Sequence, residues 1–225
     1  MTDLADSQPA AAEPRLAASV ILLRDANHGL EAFVQHRVNT MDFAPGMVVF
    51  PGGRVDPADS SGWDYPADLL KRHAADWQET SLNADPGQAD VSAGTVLAAA
   101  IREVQEESGL TIEPEDLRPW ANWITPVDMP KRFDTFFYVA RPLSSHQPQH
   151  QTTEAWQSLW MPVAGILEAE ATGSLKMMPP TYYLLKEIAG FSSVDAVWSA
   201  QHSVAPVLGP PGSLAAFLKE RENRE

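Results

Sequence analysis

Residues 102–110 read Arg102-Glu103-Val104-Gln105-Glu106-Glu107-Ser108-Gly109-Leu110, a stretch that places three carboxylates close together on one helix. At about 100° per residue, Glu103, Glu106 and Glu107 share roughly a quarter-turn of helix surface. Leu97, Ile101 and Val104 project from the other side and can bury against a core. The acidic arc is therefore expected to face outward from a packed element. Gly109 reads as the residue just past the helix C-terminus, where the macrodipole disfavours negative charge. Like charges three and four apart cost a further 0.2–0.5 kcal/mol per pair, roughly. Glu-rich faces are often simply solvated. A chain that accepts both penalties has a use for a cation there. Carboxylates without His or Cys suit a hard ion, Mg²⁺ or Mn²⁺.

Upstream, Met47-Val48-Val49-Phe50 reads as a short apolar strand running into Pro51-Gly52-Gly53, where glycine permits close approaches that a side chain would block. The segment 18–24 reads as a buried strand, 25–29 as a turn and 30–37 as an alternating partner strand. Between the glycine pair and the acidic helix lie a loop at 56–62, a helix over 66–77 and a second loop at 83–90. Trp63, Tyr65 and Trp77 mark this segment as packed, either a surface excursion on the core or a part that covers substrate or a partner copy. Ser92 or Thr95 can cap the acidic helix. Strands follow at 120–124, 134–140 and 153–160, then helices at 162–171, 180–189 and 194–201. Residues 206–212 read as loop, and the last residues as a short charged helix.

The string 102–110 resembles the core of the Nudix box, REUxEExGU with U aliphatic, at every fixed position, and Phe50-Pro51-Gly52-Gly53 looks like the loop that opens it. Two departures stand out. Some three dozen extra residues, from Arg54 to about Gly94, interrupt the motif, and Gly94 stands where the motif carries a Glu eight residues before the Arg. An interrupted box is similar to the subgroup of peroxisomal coenzyme A diphosphatases and their bacterial relatives. Trp123-Ile124-Thr125-Pro126, the run from Pro130 to Phe137 and Pro179-Pro180-Thr181 also resemble that subgroup.

The resemblance implies an α/β fold, the Nudix α/β/α sandwich, with an insertion between the glycine loop and the catalytic helix. It would form a single domain over residues 15–225, with the insertion at about 56–93, a helical region at about 162–225 and a disordered extension over residues 1–14. It implies Glu103, Glu106 and Glu107 as metal ligands, or one of them as the base. It implies a Gly52 or Gly53 carbonyl in the metal shell, and Arg102 paired with a motif glutamate. For substrate, Arg37, Phe50, Gly52 and Gly53 fit the coenzyme A signature, whose second Arg has no match near Phe43. Arg132 is a candidate phosphate contact or a structural partner of Asp134. Trp123, Phe133 and Phe137 can stack a base or fill the core. His146 and His150 are separated by Pro148, against a helical metal pair.

The implied activity is metal-dependent cleavage of a nucleoside diphosphate linked to another moiety, with coenzyme A or acyl-CoA first. The same chemistry on ADP-ribose or a dinucleotide is the enzyme alternative. A Nudix-fold nucleotide-binding or regulatory protein without turnover is the alternative of another class.

The 225 residues, 44% of them hydrophobic, fit one domain with an insertion, and the net charge of −14 argues against nucleic acid or an anionic membrane as partner. There is no cysteine, which removes disulfides, thiol catalysis and Cys-based zinc sites and fits a cytoplasmic location. No stretch reads as a signal peptide or membrane span, and a homodimer is expected by analogy.

Overall fold

Strand β1 (Arg15–Ala26) carries the run Val20-Ile21-Leu22-Leu23, buried on both faces, as a strand does when helices cover both sides of its sheet. The computed structural model describes residues 12–39, 44–142 and 148–222. The expectations for residues 1–11, for Phe43 and for His146 lie outside the described residues.

Along one edge β1 pairs in parallel with β6 (Phe133–Ala140), which pairs antiparallel with β5 (Leu117–Ile124). The other edge is divided. Its first part pairs with β4 (Gly52–Arg54) at Ala17, Ala18 and Ser19, and its end pairs with β2 (Gly29–Arg37) from Leu23 to Ala26. Beyond that, β2 leaves β1 to pair with β3 (Val48–Val49) at Gln35 and His36, while its opposite edge pairs from Glu31 to Arg37 with β7 (Ala155–Pro162). The glycine strand β4 sits in the resulting split.

Side-chain alternation sorts the core into two layers. Ala18, Val20, Leu22, Phe33 and Tyr138 pack toward α1 (Ala67–Asp76) and α2 (Ala89–Ser108). Ile21, Leu23, Ala32, Val34 and Val139 pack toward α3 (Val163–Ala171), α4 (Pro179–Ile188) and α5 (Val194–Ser199). The result is an α/β/α sandwich with a mixed sheet. None of the described helices is long and apolar enough to cross a membrane.

Three local expectations are corrected. Helix α2 starts at Ala89, so Ser92 and Thr95 lie inside it, and the Thr95 hydroxyl donates to the Val91 carbonyl at 2.8 Å. A 3-10 turn at Pro86–Gln88, closed by Asp85 accepting from Gly87 N, leads into the helix earlier. Pro206–Leu208, expected as loop, forms β8 parallel to β5; a proline is tolerated there as the first residue of an edge strand. The loop at 56–62 contains a 3-10 turn, Pro57–Ser60, in which Asp59 accepts from the backbone N–H of Asp56 at 2.8 Å.

The segment between the glycine pair and α2 belongs to the core. Leu69, Trp77 and Leu82 are buried against α2 and the sheet. Trp77 meets Phe136 and Tyr138 edge-on. A final helix, α6 (Ser213–Glu222), closes the described chain.

Candidate active site

Gly109 ends α2 in the left-handed conformation, φ 69°, which a residue without a Cβ adopts at no steric cost. The last carbonyls of the helix are then satisfied from outside: Gln149 N donates to Ser108 O and Gln151 N to Glu107 O. This docking carries the nearby Glu154 to the same end of α2.

The glutamates of α2 do not share one exposure, contrary to the outward-facing arc that helical spacing suggests. Glu106 is 58% exposed, Glu103 13% and Glu107 only 6%. Strands β2 and β4 cover the difference. Glu107 Oε2 accepts from Gly52 N at 2.9 Å and from buried Gln35 Nε2 at 3.1 Å. Glu103 lies so close to Gly53 that a Cβ there would meet its Oε1 at 2.3 Å. Gly52 has φ 154°, and a Cβ on it would meet the Ala18 carbonyl at 2.4 Å. Gly52 is therefore required by the close approach of β4 to the β1 backbone, and Gly53 leaves the space that the Glu103 carboxylate occupies.

Burial pushes the Glu107 carboxyl up to about 8; the hydrogen bond from Gly52 opposes the shift and the charges of Glu103 and Glu154 add to it. Burial also raises Glu103, with Arg102 acting against it. A buried carboxylate with carboxylate neighbours is short of positive charge.

Arg102 lies among these groups. Its Nη1 donates to Glu103 at 2.8 Å and to Glu106 at 3.2 Å, and its Nη2 donates to the Arg54 carbonyl. Its remaining donors take a partner that sequence spacing did not suggest. Nε and Nη2 each donate to one carboxylate oxygen of Asp59 at 2.9 Å.

All three glutamates open into one cleft of about 840 Å³. Of the sequence candidates, Arg37, Phe50, Gly52, Gly53 and Arg102 line it too, as do Trp123, Phe133 and Phe137. Arg37 pairs with Glu154 at 3.1 Å, and its Nε is buried with no acceptor among the described residues. Arg132 is placed elsewhere. It is not among the residues lining the cleft, and its guanidinium donates to the Thr125 and Ala12 carbonyls. Asp134, its other suggested partner, is instead bonded to Ser81 and Asn122. Glu154 and Tyr183 were missed in the sequence. Tyr183 stacks on Trp123 with centroids 5.9 Å apart and planes 13° from parallel, and no local motif announces either residue.

Among the described residues, no three acidic or imidazole groups converge as a finished metal cage. The donor set nevertheless fits a hard divalent ion. It is all oxygen, and Asp56, Glu103, Glu106, Glu107, Glu154 and Glu220 outnumber Arg37, Arg54 and Arg102 along the cleft. A ligand bearing phosphates could settle there only with added positive charge.

Comparison with known proteins agrees with this geometry. The NUDIX domain family model matches residues 69–180. A Caenorhabditis elegans protein named as a nudix hydrolase is 28% identical over 193 residues, covering 80% of this chain and 62% of that protein. The Xenopus laevis acyl-coenzyme A diphosphatase NUDT19 is 24% identical, covering 80% of this chain and 70% of its own length. A crystal structure of a NUDIX hydrolase from Alicyclobacillus acidocaldarius aligns with a TM-score of 0.66 at 25% identity, over 87% of this chain and 99% of that one. This chain thus spans less than two thirds of the worm protein. By its matched domain, its fold and the motif at the end of α2, the chain belongs to the Nudix hydrolase family.

Proposed function

We propose that this chain is a Mg²⁺- or Mn²⁺-dependent hydrolase that cleaves the diphosphate bond of a nucleoside diphosphate linked to another moiety, with coenzyme A or acyl-CoA as the first candidate. One observation carries the proposal: a single cleft holds both the carboxylates of α2 and the Trp123–Tyr183 stack. The first part suits a cation with a diphosphate, and the second suits a flat base or an apolar group.

Glu103, Glu106 and Glu107 would hold the metal, with the Gly53 carbonyl as a further oxygen. A divalent ion bound there supplies charge neutralisation and lowers the pKa of water. Arg102 keeps Glu103 and Glu106 in place through Nη1. Arg37 offers its buried Nε–H to a phosphate oxygen. Water forms a bond to one phosphorus, the bridging P–O bond breaks, and the oxygen leaves with the other phosphate. The proton from water passes to a carboxylate at the cleft, either one of the α2 glutamates or Glu154.

The coenzyme A reading is supported by the likeness to a protein named as an acyl-CoA diphosphatase and by the apolar part of the cleft. ADP-ribose or a dinucleotide would use the same carboxylates. A binding protein without turnover is favoured only by Gly94, the one motif carboxylate that is missing.

The test is product analysis by mass spectrometry after incubation with coenzyme A, acetyl-CoA, ADP-ribose, NADH and diadenosine polyphosphates, with and without Mg²⁺ or Mn²⁺. Metal-dependent conversion of coenzyme A to 3′,5′-ADP and phosphopantetheine is the expected result. Cleavage of another member alone would discard the coenzyme A assignment and keep the site. Nucleotide binding with no product from any compound would overturn the enzymatic reading.

A further inference from the structure

Position 94 of α2 bears no side chain, and the space beside it is filled. A Cβ on Gly94 would meet Trp63 Cη2 at 2.5 Å. Trp63 stacks on Tyr65 with planes 7° from parallel, and its indole N–H donates to the Asp59 carbonyl at 2.9 Å. The ring therefore docks the 3-10 turn Pro57–Ser60 against the bare face of α2. The turn brings one buried carboxylate with it. Asp59 is 5% exposed, and both of its oxygens face Arg102 in a two-pronged contact, 2.9 Å on each side. One oxygen also accepts from Asp56 N, so the carboxylate is held from behind. Arg102 is left with Nη1 for Glu103 and Glu106.

Planar guanidinium and carboxylate groups joined by two parallel bonds fix orientation as well as distance. With Asp59 in place, Arg102 cannot swing its whole fork onto Glu103 or Glu106 and neutralise it. It presents only Nη1 to them, one N–H to each, and their other oxygens accept no hydrogen bond among the described residues. We propose that Asp59 is a positioning residue for the carboxylates of α2. Delivered from the segment between the glycine pair and the helix, it orients Arg102 and through it Glu103 and Glu106 for a divalent cation. Trp63 over Gly94 is the anchor that makes the delivery possible. In this chain the carboxylate missing from the helix at position 94 is matched by one supplied from outside the helix. The proposal rests on the metal-dependent reaction proposed above, but its test does not require turnover.

The experiment measures Mn²⁺ binding by electron paramagnetic resonance titration of wild type, Asp59→Asn, Arg102→Met and the double variant, with thermal melts of each. Residues that orient metal ligands from behind typically change metal affinity about 10–100-fold when replaced. Asp59→Asn is expected to weaken Mn²⁺ binding about 10-fold or more in a folded protein. It should add nothing further in the Arg102→Met background. With an active substrate in hand, kcat should fall and the Mn²⁺ activation constant rise, with KM for substrate little changed. Wild-type Mn²⁺ affinity in a folded Asp59→Asn protein with a lowered Tm would overturn the proposal and leave Asp59 as a staple of its turn. If Asp59→Asn does not fold, the other two variants decide. Arg102→Met at wild-type affinity, or a further loss in the double variant, would overturn the coupling. Weak and equal binding in both supports it. Mn²⁺ binding that follows this pattern in a chain without turnover would sink the enzymatic reading and leave the positioning role intact.

Discussion

Glu107 sits at the negative end of α2, nearly sealed by β2 and β4, with one oxygen bound to Gly52 N and Gln35. Its carboxyl titrates at about 8, against an ordinary value of 4.5, mainly because burial penalises the charge. In the metal-free protein the folded state therefore keeps a proton that the unfolded chain has lost between these values. The resulting stability is full below about pH 4.5 and is lost as pH rises through about 8. With EDTA present, the wild-type Tm is expected to fall from pH 5 to pH 8.5 through this group. Glu107→Gln, which cannot ionise, should be the more stable protein at pH 8.5. Excess Mg²⁺ should raise the wild-type Tm there and leave the variant unmoved, while the variant loses about 100-fold or more of activity. Scanning fluorimetry with EDTA and with Mg²⁺ checks the stability claim, and a variant no more stable at pH 8.5 would refute it. The expectation that the acidic arc faces outward does not hold at this residue, because β2 and β4 cover it.

Among the elements, α1 carries a second buried titratable group. His73 is 3% exposed, packs against Tyr138, and has an Nδ1 without a partner among the described residues. Burial, with Arg72 adding to it, lowers its pKa to about 4 from 6.5. Its folded-state pKa is depressed, so stability is full above about pH 6.5 and is lost as pH falls toward 4, by about 3 kcal/mol over the window. His73→Leu should flatten the acid limb of the stability profile, measured by urea unfolding at pH 7, 5.5 and 4.5. An unchanged slope would remove His73 as its source. Helix α2 depends likewise on what lies against it. Any side chain at Gly94 drives into the Trp63 ring. Gly94→Glu, which writes the usual motif residue back into the helix, is expected to destabilise by about 1–3 kcal/mol rather than improve the site. A denaturation midpoint equal to wild type would show that the ring yields freely.

Across the molecule as a whole, residues 59–83 hold Leu69, Trp77 and Leu82 in the core that α2 shares with the sheet, and they hold Asp59. Deleting them and bridging the gap would expose the faces of α2 and β6 that they cover. The shortened chain is expected to lose its cooperative thermal transition, followed by circular dichroism. A sharp melt with substrate preference retained would make the segment dispensable.

Strands β1 and β2, the helices from α1 to α5, the glycine pair and the acidic string at the end of α2 are legible in the chain because they are local signals. They depend on side-chain period, on Gly and Pro punctuation and on charges a few residues apart. Strand β8 is not legible in this way, since its three residues become a strand only by lying along β5. That three glutamates share one helix and that two glycines precede them follows from the amino-acid order alone, because helix geometry and glycine conformation act over neighbouring residues. Other features come from packing between distant parts of the chain. These are the burial of Glu107 beside an exposed Glu106, the meeting of Arg102 with Asp59 across 43 residues, the Trp63 ring beside Gly94, and the use of Arg132 on backbone carbonyls. Burial and partner choice depend on what lies across an element from elsewhere in the fold, and no periodicity within the element encodes that.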